Sequence, residues 1–213
     1  MNPPSRFQTP RKLARMCVLG IFLGSVFCAS AHAQTALQPT QVLDLYLKVL
    51  VNRDIRSATE INDYMRPFDG QNVFNLQAIL EMEDPPASVQ NAHERLFLKT
   101  LLATVRRSGC LSVASAFEQD AATGNRVALV NYVCHIPDAR IASLLADFEN
   151  EASDSAKAER MAKIVATLEG AAVDKQISGS LRLQEVKAGD KSWWRPVSVG
   201  DTLNRVLENL LSE

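Results

Sequence analysis

The stretch that decides the fold is residues 110–137, CLSVASAFEQDAATGNRVALVNYVCHIP, because its apolar residues alternate instead of recurring at helical spacing. Leu111, Val113 and Phe117 alternate with small residues, which predicts a strand with one buried face. Turn-forming residues at 120–125 then lead into a second run that is rich in β-branched and aromatic side chains. The stretch therefore predicts a β-hairpin.

The hairpin carries a cysteine near each end, Cys110 and Cys134. If the turn centres near Ala122, the numbers of paired residues add up to about 244, and Cys110 lies directly opposite Cys134. The two cysteines do not form the Cys-x-x-Cys motif that is typical of redox-active pairs. We therefore predict a structural disulfide between the two strands.

Residues 1–33 have the organisation of a secretory signal peptide. Basic residues occur within 6–15, an apolar run extends over 16–27, and the small residues at 31 and 33 predict cleavage after Ala33. The apolar run is too short to cross a membrane, which takes about 20 residues. The leader therefore predicts export and removal, not anchoring.

Export also accounts for the cysteine content. Cleavage removes Cys17 and Cys28 and leaves the single pair in the hairpin, an even count that is typical of an oxidising compartment. The predicted location is the periplasm of a Gram-negative bacterium. The alternative is a lipoprotein acylated at Cys28, but Phe27 stands where such sites need a small residue.

The charge balance bears on the class of partner. The leader carries four of the 23 basic residues and none of the 24 acidic ones, so residues 34–213 have 19 basic and 24 acidic side chains and a net charge of about −5. Binding to phosphate backbones needs clustered Lys and Arg. We therefore expect no nucleic-acid partner, no basic membrane-surface patch and no membrane span in 34–213.

Helical periodicity surrounds the hairpin. Three or four helices are predicted before it, and the second of these begins at the capping box Ser57-x-x-Glu60 and ends at Pro67. A helical pair is predicted at about 138–170, followed by a second hairpin that turns at 188–190 and by a final amphipathic helix. This order predicts an α+β fold for the single domain 34–213, with a small antiparallel sheet of two hairpins covered by helices and an inserted helical pair.

The order of elements resembles that of the NTF2-like superfamily. The resemblance rests on the opening helix around Val42-x-x-Leu45-Tyr46, on Asn52-Arg53-Asp54 after it, and on the late hairpin with Trp193-Trp194-Arg195-Pro196-Val197. It implies that N-terminal helices lie in the concavity of a curved antiparallel sheet. That superfamily includes enzymes and binding modules, so the resemblance does not choose between these two functions.

Few residues after the leader have side chains suited to catalysis or metal binding. Residues 34–213 contain two histidines, His93 and His135. The segment from His93 begins like the helical His-Glu-x-x-His zinc motif, but Phe97 stands where the second histidine is needed. We therefore predict no metal site and no cofactor. His135 lies close in sequence to Asp138, and because a carboxylate can orient an imidazole as a base, this pair is the candidate for catalysis.

The segment Trp193-Trp194-Arg195 is the most unusual segment of the sequence and the candidate for a binding site. Neighbouring strand residues point to opposite faces, so only one tryptophan is expected in the helix-covered core and the other needs a second cover. Three alternatives would supply this cover: the inserted helices, the wall of a small apolar pocket, or a protein interface. Trp and Arg are enriched at protein interfaces. We therefore predict Trp193, Trp194 and Arg195 as binding residues, and expect Arg195 to pair with Glu185 across the hairpin.

These observations favour an exported periplasmic protein without enzymatic activity that binds a protein partner in the envelope. It would serve as an accessory factor for secretion or envelope assembly, or as an immunity-type inhibitor. One alternative is a carrier of a small apolar ligand, with a tryptophan at the cavity wall. The other is a hydrolase or isomerase that uses His135 and Asp138.

Overall fold

A computed structural model describes residues 37–81, 85, 88–89, 91–151, 153–198 and 200–212. The predicted signal peptide and its cleavage site lie outside the described residues. Along the described ranges the helices are α1 Pro39–Asn52, α2 Ile55–Asp69, α3 Leu76–Glu81, α4 Ala92–Val105, α5 Ala142–Asn150, α6 Asp154–Gly170 and α7 Gly200–Leu211. The strands are β1 Gly109–Gln119, β2 Arg126–Pro137, β3 Val173–Ala188 and β4 Lys191–Pro196.

The four strands form one antiparallel sheet in the order β1-β2-β3-β4, so that β1 and β4 are its two edges. β1 and β2 form the first hairpin, β3 and β4 form the second, and α5 and α6 lie between them in the chain. The predicted α+β class, with two hairpins and helices packed on the sheet, is confirmed.

Helices cover one face of the sheet, and the other face is largely exposed. In β2 the even-numbered side chains from Ala128 to Ile136 are buried, whereas Asn131 and His135 are exposed. α1 packs against both edge strands as well as β2, and most of its side chains are buried. The sheet therefore curves around α1, and the core lies between this helix and the covered face.

The second helix begins earlier and ends later than its sequence predicts. α2 starts at Ile55 because Asp54 is its N-cap, and the Asp54 carboxylate accepts hydrogen bonds from the backbone of Arg56 and from Ser57. The hydrogen bond from the Ser57 side chain is the main reason that the pKa of Asp54 lies below its ordinary value. Ser57 thus donates hydrogen bonds to the N-cap Asp54 and is not the N-cap itself. Pro67 lies within the last turn of the helix instead of ending it.

The hairpin register confirms the predicted disulfide. Cys110 lies opposite Cys134, and the two are bonded with a Cα–Cα distance of 4.0 Å. This distance matches a pair of opposite residues that do not exchange backbone hydrogen bonds, which is the closer of the two antiparallel pair types.

A β-bulge at Val113 makes this register possible. Between the turn and Ala114 the residue numbers of opposite residues add up to 245, as in the pair of Ala114 and Asn131, but from Ser112 to the cysteines they add up to 244. The single extra residue is Val113. Without it, the register of the turn would place Cys110 opposite His135, and the disulfide would not form.

The prediction that Leu111, Val113 and Phe117 form a buried face is wrong. Their exposed fractions are 62%, 60% and 48%. The alternation assumed an unbroken strand, but the bulge interrupts it: Leu111 lies opposite Val133 on the uncovered face, whereas Phe117 lies opposite the buried Ala128. β1 is also an edge strand, so its outer half lacks a neighbour on one side.

Replacing both cysteines of the disulfide by alanine should lower the free energy of unfolding by about 3 kcal/mol, because the link closes a loop with a sequence separation of 24. Urea denaturation followed by circular dichroism measures this loss. The wild-type protein under reducing conditions is the matched control and should unfold at nearly the same urea concentration as the double variant. A double variant as stable as the oxidised wild type would contradict the structural role.

Candidate functional site

Helix α2 contacts the edge of the sheet at Trp194 of β4. The backbone N–H of Trp194 donates a hydrogen bond to the Tyr64 hydroxyl of α2 at 2.9 Å. Burial raises the pKa of Tyr64, and the Trp194 N–H only partly opposes that rise, so the hydroxyl stays protonated. The outward N–H of Trp194 is therefore already bound and is not available to an added strand.

The opposite edge, at β1, is closed only at its beginning. The backbone N–H of Ser112 donates to Asp44 Oδ1 of α1 at 2.7 Å, and the Ser112 hydroxyl donates to the carbonyl of Thr40 at 3.1 Å. Every residue from 113 to 119 is exposed. We call the segment 113–119 the open edge.

The turn of the first hairpin shows which backbone groups the open edge presents. The N–H of Asp120 donates to the carbonyl of Asn125 across the turn at 2.8 Å. Backbone direction alternates along a strand, so the N–H groups of Ser115 and Phe117 point away from β2. The open edge therefore offers backbone hydrogen-bonding groups that β2 does not use.

An aromatic and cationic cluster lies at the end of the open edge. The ring of Phe117 lies 5.7 Å from that of Trp194, and the Arg126 guanidinium lies 4.1 Å from the Phe117 ring centre and 5.6 Å from the Trp194 ring centre. In a flat sheet the edge strands that carry Phe117 and Trp194 would stand roughly 14 Å apart, at about 4.8 Å per strand. The two rings meet because the sheet curves and because Ala128, opposite Phe117, is small.

This cluster borders a cleft of about 470 Å³. The cleft is lined by Phe117, Glu118, Gln119, Gly124, Asn125, Arg126, Glu185 and Lys187. Glu118 lies 3.2 Å from Arg182, and Glu185 lies 4.0 Å from Lys187. Within the described ranges Arg126 takes part in no ion pair, and since both rings lie within reach of its cation, the guanidinium is positioned by aromatic contacts.

The hairpin loop beside the cleft is held by Asp120. Its Oδ1 accepts hydrogen bonds from the backbone N–H groups of Ala122 and Thr123 and from the Thr123 hydroxyl, at 2.9 to 3.1 Å. The bonds from Thr123 are the main reason that the pKa of Asp120 is lowered. Gly124 has a φ of 67°, a left-handed conformation that favours glycine. This wall of the cleft is therefore ordered by hydrogen bonds within its own loop.

The structure places the three predicted binding residues differently from one another. Trp193 and Trp194 are each only 6% exposed, and Trp193 packs against Phe68 of α2 with ring centres 5.8 Å apart. Both tryptophans thus find their cover within the chain. Trp194 alone belongs to the cluster at the cleft, while Arg195 is exposed and lies opposite Gln184, so its expected pairing with Glu185 is wrong by one position.

Phe117 and Arg126 are the site residues that sequence reasoning missed. Phe117 was expected in the core, and Arg126 followed a turn without any motif around it. A register counted from the turn places Gln119 opposite Arg126, so Phe117 stands two residues from the Arg126 position. The strand register, counted from the turn residues, is therefore the feature of the sequence that indicates this cluster.

The candidate catalytic pair is not assembled. His135 is exposed on the uncovered face, where it lies between Gly109 and Gln176. Asp138 accepts a hydrogen bond from Arg140 Nε at 2.8 Å and forms an ion pair with Arg140 Nη2 at 2.6 Å, and these contacts lower the pKa of Asp138. No hydrogen bond in the described part of the chain joins His135 to Asp138.

No protein-family model matches the chain, and neither a curated protein nor a solved structure matches it. The NTF2-like assignment therefore stays a prediction. Of the helices in the described ranges, none is both long and apolar enough to span a membrane. The described residues also contain no group of three or more His, Cys, Asp or Glu side chains suited to a metal ion.

Replacing Phe117 by alanine removes the ring that Trp194 and Arg126 share. We expect the free energy of unfolding to fall by about 1 to 2 kcal/mol and tryptophan emission to move to longer wavelength as Trp194 gains water contact. Urea denaturation and fluorescence measure the two effects. Leu111→Ala is the matched control: it removes an exposed apolar side chain from the same strand and should leave the emission unchanged. Equal effects of the two substitutions would contradict the cluster.

Proposed function

We propose that this chain is an exported, non-enzymatic binding protein that takes up an extended segment of an envelope protein as a fifth strand along β1. The observation that carries the proposal is the asymmetry of the two sheet edges. Tyr64 occupies the outward N–H of Trp194 on β4, but the open edge 113–119 is exposed and continuous. Natural sheets usually protect long apolar edges, so an unprotected one favours binding by strand addition.

Backbone hydrogen bonds would supply the affinity in this mode of binding. The outward N–H groups of Ser115 and Phe117 would each pair with a carbonyl of the added strand, and the carbonyls of the same residues would accept from it. Apolar side chains of the added strand would pack beside Phe117, which is half-exposed in the free protein. The bulge at Val113 marks the inner end of the segment, because beyond it α1 occupies the edge at Ser112.

The cleft beside Arg126 would supply selectivity. Arg126 is a cation without a carboxylate partner within the described ranges, and its planar guanidinium binds carboxylates with two parallel hydrogen bonds. An added strand that carries an acidic side chain near Phe117 would place that carboxylate at Arg126. The preferred partner segment is therefore extended, partly apolar and acidic at one end.

The Cys110–Cys134 disulfide is compatible with export, because disulfides persist in oxidising compartments. The apolar-carrier alternative gains no support from the cleft at the open edge, since Arg126, Lys187, Glu118 and Glu185 line it. Export to the periplasm and a role in secretion, envelope assembly or toxin inhibition stay predictions.

Selection from a phage-displayed library of random 12-residue peptides tests the strand addition. The protein, expressed from the full chain with export, is immobilised, and the affinities of the selected peptides are measured for variants at Ser115. Ser115→Pro removes an outward N–H and no bond to β2, so it should weaken peptide binding at least tenfold with little change in stability. Ser115→Ala keeps the N–H and should bind like the wild type.

Two outcomes would count against the proposal. Peptides that bind Ser115→Pro as tightly as Ser115→Ala would show that the open edge is not the binding surface. Failure to select any peptide would argue against recognition of extended segments altogether. Among the peptides selected, those with an acidic residue should lose affinity with Arg126→Gln, and the loss should vanish when that acid is replaced by alanine.

A further inference from the structure

The two ends of the open edge carry opposite charges. At the inner end, Asp44 of α1 uses Oδ1 to accept the outward N–H of Ser112 at 2.7 Å. At the outer end, the Arg126 guanidinium lies 4.1 Å from the Phe117 ring centre. Residues 113–117 between these ends are uncharged. The open edge therefore presents an anion at one end and a cation at the other, separated by an uncharged stretch of strand.

Asp44 retains binding capacity after it has accepted the Ser112 N–H. The residue is partly exposed, and its second carboxylate oxygen has no hydrogen-bond partner in the described part of the chain. Lys48 is the only basic residue of α1, and its positive charge acts on Asp54. No ion pair joins Lys48 to Asp44 within the described ranges. The second oxygen of Asp44 can therefore bind a cation from outside the chain.

Arg126 has the matching capacity at the outer end. The acidic side chains that line the cleft with it already face other cations. Glu118 lies 3.2 Å from Arg182, and Glu185 lies 4.0 Å from Lys187. Arg126 takes part in no ion pair among the described residues. A carboxylate that enters the cleft therefore meets a cation that no other carboxylate neutralises.

Both charges lie on the helix-covered side of the open edge. Asp44 belongs to α1, which packs on that face of the sheet. Arg126 contacts Phe117, which faces the helices opposite the buried Ala128. Successive side chains of a strand point to opposite faces, so only every second residue of an added strand reaches this side. Two side chains that meet Arg126 and Asp44 therefore stand an even number of positions apart.

The register of the neighbouring strand gives that number. On β2, Ala128 lies opposite Phe117. Tyr132 lies opposite Ser112, four positions further along β2, because Val113 is bulged. An added strand on the other side of β1 has the same length to cover, roughly 14 Å. The two charged side chains of the added strand are therefore expected four positions apart.

We propose that the open edge selects a segment in which an acidic residue is followed, four positions later, by Lys or Arg, with uncharged strand-forming residues between them. This inference rests on the proposed strand addition and specifies its partner. The added strand would run antiparallel to β1, because antiparallel pairing is slightly more stable than parallel pairing, and the acidic residue therefore comes first. Its carboxylate would meet Arg126, and the cation would meet the second oxygen of Asp44.

Four synthetic 10-residue peptides with blocked termini test the charge order. The first has glutamate at position 3 and lysine at position 7 in a background of threonine and valine. The second exchanges the two charged residues, the third moves the lysine to position 8, and the fourth replaces the lysine by threonine. Fluorescence anisotropy measures their affinities for the protein expressed from the full chain with export. The first peptide should bind about fivefold more tightly than each of the others, as expected for a well-placed exposed ion pair.

Variants of the protein assign this gain to Asp44. Asp44→Asn keeps the oxygen that accepts the Ser112 N–H and removes the charge. It should lower the affinity of the first peptide about fivefold and leave that of the fourth unchanged. Asp63→Asn is the matched control, because it removes an exposed carboxylate from α2 and changes the net charge equally. It should leave all four affinities unchanged.

The outcomes separate this inference from the strand addition on which it rests. Equal affinities of the first and fourth peptides for the wild type would overturn the charge order, even if Asp44→Asn did not fold. A second peptide that loses affinity with Asp44→Asn would show parallel addition and overturn it as well. No binding by any of the four peptides would do the same. In each case, library-selected peptides that lose affinity with Ser115→Pro would leave the strand addition standing, and peptides indifferent to Ser115→Pro would overturn both.

Discussion

The β-bulge at Val113 is the constraint on which the rest of the structure depends, because it changes which side chains of β1 face the helices. Before the bulge the even-numbered residues Cys110 and Ser112 face them, and after it the odd-numbered residues Ser115 and Phe117 do. The first pair joins β1 to β2 and α1, through the disulfide and the bond to Asp44. The second pair directs Phe117 toward Trp194. One extra residue thus supports both the covalent link and the aromatic cluster.

The same constraint divides β1 into a closed half and an open half. α1 covers the strand as far as Ser112, and beyond Val113 the strand has β2 on one side only. At the other edge β4 pairs only with residues 183–188 of β3, and Tyr64 holds the outward N–H of Trp194 there. A curved sheet also brings Arg126 and Trp194 to the accessible end. The proposed binding by strand addition would use both features, the free backbone groups and the cation beside them.

Local patterns in the sequence predict the two hairpins, the disulfide and the helical pair, because turn residues and apolar spacing act over short distances. They do not predict the bulge, since Val113 is as suited to a regular strand as to an irregular one. They also do not predict that Phe68 packs against Trp193, because the helix that carries Phe68 is far from Trp193 in the sequence. The Arg126 cluster likewise needs side chains from β1, β2 and β4 together, so only the folded sheet shows it.

Residue-by-residue amide hydrogen exchange in the protein free of partners tests the open edge most directly. The N–H groups of Trp194 and Ser112, held by Tyr64 and Asp44, should exchange slowly. The outward N–H groups within 113–119 should exchange orders of magnitude faster, although they belong to the same sheet. Equal protection within 113–119 and at Trp194 would contradict an accessible β1 edge.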